Sequence, residues 1–320
     1  MSSATQKKAA WVVLITNPSY LPGLFVLHHS LRSVGTRYPL VVIATPQLSA
    51  VARAIIARRG IPIRDVQSLR PRPGVHQLAE HDRRFEDTWT KLRSFELVEF
   101  DRVVMMDADM LVRRNMDELM ELPLPRDSIA ASHVCACNPR KLAHYPKDWI
   151  PENCAFTPLV APDCLSNPPR ITRSSPRPYN LLNSGLVVLT PSLKTYNTLE
   201  DWVHNSPLIP TFSFPDQDLL SAVFAGRWKP LPYIYNALKP LRNVHPKMWR
   251  DEDVKVVHYI LDKPWQARIG PGSKGEKSDF VATHAWWWEQ YGLIERELNS
   301  DGPSGDLKTW ATIDRYVSKD

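Results

Sequence analysis

Short apolar runs closed by turn residues punctuate the chain. Residues 11–15 are apolar throughout and end in Thr16, Asn17 and Pro18, and residues 40–44 repeat the pattern before Thr45 and Pro46. Runs of this length between such breakers predict buried strands. Between them Leu24, Leu27, His28 and Leu31 recur at helical spacing behind Pro22, which a first helical turn tolerates. A β-α-β unit follows. Val51, Ala54, Ile55 and Ala57 carry the helical period over residues 49–59, Gly60 is placed to end it, and residues 61–66 give another strand. After a loop at Arg70, Pro71, Arg72, Pro73 and Gly74, the positions of Leu92, Phe95 and Leu97 predict a helix leading into a strand at residues 102–106.

Pro158, Pro162, Pro168, Pro169, Pro176 and Pro178 stop both helix and ladder, which predicts a long ordered loop over residues 158–180. Regular patterning returns with a strand at 186–189, a helix opened by Ser192, a helix through Leu219, Leu220 and Val223, and a strand at 254–257. Trp286, Trp287 and Trp288 fall in the last helix, where packing on the sheet is expected and a carbohydrate platform is the alternative. Strands alternating with helices predict one α/β domain around a mostly parallel sheet, over residues 11–298. A tail at 1–10 precedes it, and a polar, peripheral tail at 299–320 follows.

Composition changes this picture little. In 320 residues, 43% hydrophobic and 23% charged is ordinary for a chain with a real core. The net charge of +6 suits a phosphorylated ligand, a nucleic acid or an anionic surface. Arg53, Arg58, Arg59, Arg64, Arg70 and Arg72 are scattered, however, and no recognition motif accompanies them, which argues against nucleic acid. No apolar run approaches the roughly 20 residues of a membrane span. With a first strand starting at Trp11 there is no room for a signal peptide, and a cytoplasmic protein is expected. Cys135, Cys137, Cys154 and Cys164 lack paired C-x-x-C spacing, so buried free thiols are expected rather than a zinc site.

The chemistry begins where the strand at 102–106 runs into Asp107, Ala108 and Asp109. Positions two apart share a face of an extended chain, so both carboxylates can converge at the strand's carboxyl end, where open α/β sheets bind ligands. Two hard oxygen donors suit Mg²⁺ or Mn²⁺. Taken alone, an Asp-x-Asp is more often a solvated turn.

Its company decides otherwise. In order come Thr16, Asn17 and Tyr20; Lys91; Asp107, Ala108 and Asp109; Asn183, Ser184 and Gly185; Asp216, Gln217 and Asp218; then Val256, Val257, His258 and Tyr259 with Lys263, Pro264 and Trp265. In this order the chain resembles glycosyltransferase family 8, the family of glycogenin and plant galactinol synthase, roughly over residues 11–265. The resemblance implies a glycosyltransferase A-type, Rossmann-like fold and a UDP-sugar donor, with Thr16 and Tyr20 at the uracil. It implies His258 as third metal ligand beside Asp107 and Asp109, although a histidine after a buried strand is by itself more often a core residue. That mixed donor set favours Mn²⁺, with Mg²⁺ as the alternative. Lys91 and Ala108 fall at the donor site, Lys263 on the diphosphate, and Asn183 and Ser184 at the donor sugar. Asp216, otherwise read as a helix N-cap, would hold donor hydroxyls, and Gln217 would face the anomeric carbon. Family members retain anomeric configuration. An amide being a poor nucleophile, front-face substitution is the expected route.

The chain also departs from glycogenin. After Tyr233, Ile234, Tyr235 and Asn236 no tyrosine occurs before Tyr259, which argues against self-glucosylation. Ser213 stands where glycogenin has Asp, and the four residues between His258 and Lys263 are one fewer than there. Lys229 to Pro232, Tyr235, Asn236, His245, Pro246 and the late tryptophans look more like galactinol synthase. The expectation is therefore a retaining hexosyltransferase moving glucose or galactose from a UDP-sugar to a polyol, sugar or other hydroxyl acceptor, with a homodimer allowed. The alternative is a catalytically weak nucleotide-sugar-binding or scaffold protein. A nucleotidyltransferase would share the sheet and acidic site, but no glycine-rich triphosphate loop lies near Thr16.

Overall fold

The structure is a computed structural model that describes residues 7–76, 86–143, 145–268, 280–300, 302 and 305–319. Strands β1 (Ala9–Ile15), β2 (Leu40–Ala44), β3 (Ile63–Asp65) and β4 (Arg102–Met106) are parallel, and all but β3 are buried almost throughout. Burial on both faces is why these segments read as unbroken apolar runs. Helices α1 (Leu21–Ser33) and α2 (Ala50–Arg58) make the crossovers. The Ser49 hydroxyl caps α2 and Gly60 ends it at φ +70°, a conformation glycine adopts without strain.

The chain steps outward from β1 to β3, then returns to place β4 on the other side of β1. Such a reversal opens a crevice at the carboxyl ends of the two central strands. Beyond β4 lie β7 (Leu182–Leu189), β6 (Ile129–His133) and β8 (Trp228–Pro230), in the order β3-β2-β1-β4-β7-β6-β8. Strand β7 is antiparallel to both neighbours, so its amino-terminal end meets the carboxyl end of β4, with Leu186 opposite Met106. A smaller sheet orders β5 (Met110–Val112), β10 (Val256–His258) and β9 (Ala237–Leu238) as β5-β10-β9. Its register sets His258 opposite Met110, one residue beyond Asp109.

One face of the large sheet packs Trp11, Val13, Val104 and Met106 against α1. The other packs Val12, Val103 and Met105 against α3 (Leu193–Asn205), α4 (Pro215–Val223) and a 3-10 helix, Thr88–Glu96. Between β6 and β7, residues 134–181 leave the sheet and return at adjacent points, tied by Val134 N–H donating to the Leu181 carbonyl at 3.1 Å. The proline-rich 158–180 stretch forms the second half of that excursion, carrying only short 3-10 turns.

Several boundaries differ from the sequence expectation. The helix expected around Leu92 is 3-10, and β7 starts at Leu182 rather than 186, so Asn183, Ser184 and Gly185 lie inside the strand. Of the expected tail at 1–10, residues 1–6 lie outside the described residues and β1 already begins at Ala9. The segment after Asn299 is not peripheral where described: α7 (Leu307–Ile313) buries Ile313, and Val317 follows it into the core. Helix α6 (Val281–Leu298) packs on α1 and buries Trp287 completely, leaving Trp286 and Trp288 half-buried. Among the described residues no helix is long and apolar enough to cross a membrane.

Candidate active site

Three backbone segments converge at the crevice. The turn after β4 carries Asp107, Ala108 and Asp109, β7 lies beside it with Asp107 N–H donating to the Gly185 carbonyl at 2.8 Å, and β10 brings His258. The imidazole Nε2 lies 3.3 Å from Asp109 Oδ1 and 3.6 Å from Asp107 Oδ2. Gly185 makes this approach possible. A Cβ there would sit 2.5 Å from His258 Nδ1, inside any van der Waals contact.

A side-chain relay orients the ring. The Gly185 N–H donates to Asn183 Oδ1 at 3.1 Å, which orients that amide. Asn236 Nδ2 donates to the same oxygen at 2.8 Å, leaving Asn236 Oδ1 to face His258 Nδ1 at 3.0 Å. An amide oxygen only accepts, so Nδ1 carries a proton and Nε2 is the ring atom turned to the carboxylates. The other arm runs from Asn183 Nδ2 to Gln217 Oε1 at 3.1 Å. Gln217 Nε2 is buried with no hydrogen-bond partner among the described residues.

Two lysines balance the acids. Lys91, on the 3-10 helix, sets its ammonium 2.8 Å from Asp107 Oδ1 and 2.7 Å from Asp216 Oδ2. Burial alone would lower its pKa, but Asp107 and Asp216 hold it above the ordinary lysine value. Lys263 donates to Asp109 Oδ2 and, at 2.9 Å, to the Tyr259 carbonyl. Burial works against the Asp109 carboxylate, yet Lys263 and His258 together pull its pKa far below the usual range. Asp107 goes the other way: burial raises it, Lys91 opposes, and the Asp109 charge adds to the rise. A bridging ammonium between Asp107 and Asp216 thus keeps together acids that would repel.

Thr16, Tyr20, Lys91, Asp107, Ala108, Asp109, Asn183, Ser184, Asp216, Gln217, His258 and Lys263 all line one cleft of about 600 Å³, within the range of ligand pockets. Asp216 is not the helix cap: the Asp218 carboxylate accepts from the Ser213 and Phe214 N–H groups at 2.8 and 2.9 Å, freeing Asp216 for Lys91. Sequence reasoning missed Asn236, quoted only as part of a motif; its role depends on the β9–β10 pairing that brings it to His258. It also missed an aromatic wall, where Trp149 stacks on Phe214 at 5.2 Å and Tyr145 meets both edge-on. Lys239 lies behind the cleft, between the lining residues Leu238 and Pro240. It is fully buried, donates to His284 Nε2 at 2.9 Å, and burial lowers its pKa to about 7.

The residues fit a divalent cation. One ligand atom from each of Asp107, Asp109 and His258 falls within 4.8 Å of the others, and the relay turns the Nε2 edge of the imidazole towards the carboxylates. Two carboxylates and one such nitrogen form a mixed oxygen and nitrogen donor set.

The sequence profile of glycosyl transferase family 8 matches residues 11–268. Galactinol synthase 3 of Arabidopsis thaliana is 29% identical over 293 residues, spanning 89% of this chain and 82% of that protein. Galactinol synthase 2 of Ajuga reptans is 30% identical over 294 residues, spanning 90% and 94%. Among solved structures, the galactosyltransferase LgtC, in complex with donor and acceptor sugar analogs, superposes with a TM-score of 0.53 at 16% identity. That match spans 89% of this chain and 95% of the other, and at this identity it speaks to the fold alone.

Proposed function

Given that the chain belongs to glycosyltransferase family 8 and has the glycosyltransferase A-type fold, we propose that it is a retaining hexosyltransferase that moves glucose or galactose from a UDP-sugar to a separate hydroxyl acceptor. The observation that carries this reading is the relay from Gly185 through Asn183 to Asn236 and Gln217. It holds His258 towards the two carboxylates and leaves a buried amide donor on the cleft at the other end.

In this reading Thr16 and Tyr20, at the carboxyl end of β1, receive the uracil. Asp107, Asp109 and His258 hold a divalent cation, Mn²⁺ by preference, which when bound supplies positive charge to the diphosphate. Lys263 adds an ammonium where leaving-group charge develops, a contribution that fixed charges make best in a water-poor cleft. Lys91 and Asp216 hold donor hydroxyls, and Gln217 faces the anomeric carbon. The acceptor oxygen bonds to that carbon on the face from which the diphosphate departs, and its proton passes to a diphosphate oxygen. Gln217 needs no covalent bond to the sugar. The acceptor enters between the aromatic wall and the Lys263 loop, and a polyol is favoured by the galactinol synthases among the relatives.

The test is UDP release from a panel of UDP-sugars with Mn²⁺, with and without polyols such as inositol, repeated with Asp109→Ala. Turnover lost in the variant, and a product whose anomeric configuration by NMR matches the donor's, supports the reading. Tight UDP binding without turnover on any donor would return the protein to the binding or scaffold role.

A further inference from the structure

A second cluster of metal-ligating side chains lies outside the acidic site. Cys135 and Cys137 follow β6, Cys154 closes the 3-10 turn Pro151–Asn153, and His245 caps the short helix α5 (Leu241–Val244). These segments are far apart in sequence, yet three sulfurs converge on one nitrogen. His245 Nε2 lies 3.6 Å from Cys135 Sγ, 3.3 Å from Cys137 Sγ and 3.6 Å from Cys154 Sγ, and the four ligand atoms all fall within 4.8 Å of one another.

Hydrogen bonding does not account for this arrangement. A neutral imidazole nitrogen offers one lone pair, enough for one weak S–H donor and not for three. Tetrahedral zinc does account for it, since bonds of about 2.3 Å to sulfur and 2.0–2.1 Å to nitrogen put each sulfur roughly 3.6 Å from the nitrogen. Cys137, Cys154 and His245 are buried and Cys135 is half-buried, so four protein ligands close the site. The fourth cysteine takes no part, because Cys164 Sγ lies against the Met248 carbonyl instead. Sequence spacing predicts free thiols and does not point to this cluster, because it weighs the four cysteines and not His245.

We propose that Cys135, Cys137, Cys154 and His245 form a closed structural zinc site, separate from the acidic cluster, that clamps the excursion after β6 onto α5. The clamp closes residues 138–153 into a loop that carries Tyr145 and Trp149 of the aromatic wall. Asn138 and Lys141 lie within this loop in the left-handed region, at φ 42° and 50°, a conformation that asparagine tolerates and lysine seldom adopts. Zinc thus supports one side of the cleft without touching the reacting atoms.

The full chain, purified from zinc-supplemented cells without chelator, should hold one zinc per chain by plasma mass spectrometry. Absorption at the zinc edge should give three sulfurs at about 2.3 Å and one nitrogen at about 2.0–2.1 Å. Cys154→Ser and His245→Ala should lose the metal, while Cys164→Ser and Asp109→Ala keep it. Should the first pair not fold, wild-type protein still decides: an organomercurial should release zinc stoichiometrically, and Co²⁺ in its place should show thiolate charge-transfer absorption. A folded, zinc-free wild-type chain that takes up no Co²⁺ would overturn the proposal. So would a disulfide among the three cysteines, or zinc that leaves with Asp109→Ala.

Discussion

At the scale of single residues, the site depends on how His258 is held more than on which atoms could bind a cation. Asn236→Ala removes the acceptor that keeps the proton on Nδ1, so the ring loses its fixed orientation. Removing such a supporting hydrogen bond weakens metal affinity about 10–100-fold. The Mn²⁺ concentration for half-maximal activity should rise by that factor, and an unchanged value would detach Asn236 from the site. Gly185→Ala tests the approach itself. Its methyl would collide with the imidazole that the glycine accommodates, an overpacking that costs about 1–3 kcal/mol. The Mn²⁺ concentration for half-maximal activity should rise at least as far as in Asn236→Ala, with a lower melting temperature. Wild-type values on both counts would show that the ring can move aside.

At the scale of elements, the strands and their turns were legible because buried parallel strands write continuous apolar runs, and because Asp107 and Asp109 sit at the end of one. The aromatic wall was not legible, since Tyr145, Trp149 and Phe214 come from irregular segments with no periodicity to betray a shared face. The thiol cluster escaped because its fourth member, His245, stands 110 residues from Cys135. The closing helix escaped because a polar segment hides its two apolar anchors, Ile313 and Val317. That last element bears on the Lys263 loop: Ser318 N–H donates to the Trp265 carbonyl at 2.8 Å, and the Trp265 ring packs on Tyr20 and Trp287. Removing residues 305–320 should therefore lower the melting temperature and raise the KM for the sugar donor more than it lowers kcat. Unchanged donor kinetics in a folded truncation would confine the segment to stability.

At the scale of the whole molecule, three half-buried or buried histidines make stability depend on acid. Burial is the first cause in each case, lowering the pKa of His28 and His133 to about 4 and of His284 to about 3, from 6.5. Between pH 6.5 and 4 the unfolded chain takes up protons that the native chain refuses, so stability falls as pH falls. Asp218 opposes this: burial raises it to about 6 from 3.8, so the native carboxyl binds a proton first on the way down. Asp107, also raised by burial, acts in the same sense as Asp218, but the three larger histidine shifts leave a net loss, and the melting temperature should drop from pH 6.5 to pH 4. His133 is fully buried and paired to the Pro169 carbonyl at 3.1 Å. His133→Gln should flatten that drop relative to wild type, and parallel curves would exonerate it.

The hydrogen bond from Val134 to Leu181 places the two ends of the excursion after β6 side by side on the sheet. Every residue proposed to meet the sugar donor, from Thr16 to Lys263, is anchored outside that excursion, whereas Tyr145 and Trp149 of the aromatic wall lie within it. Residues 134–181 thus form one excursion, held to the rest of the chain by the contacts of its cysteines with His245 and of Trp149 with Phe214. On the proposed function, a change confined to that excursion should alter the choice of acceptor and leave sugar-donor binding as it is, which donor and acceptor KM values measured on such a variant would check.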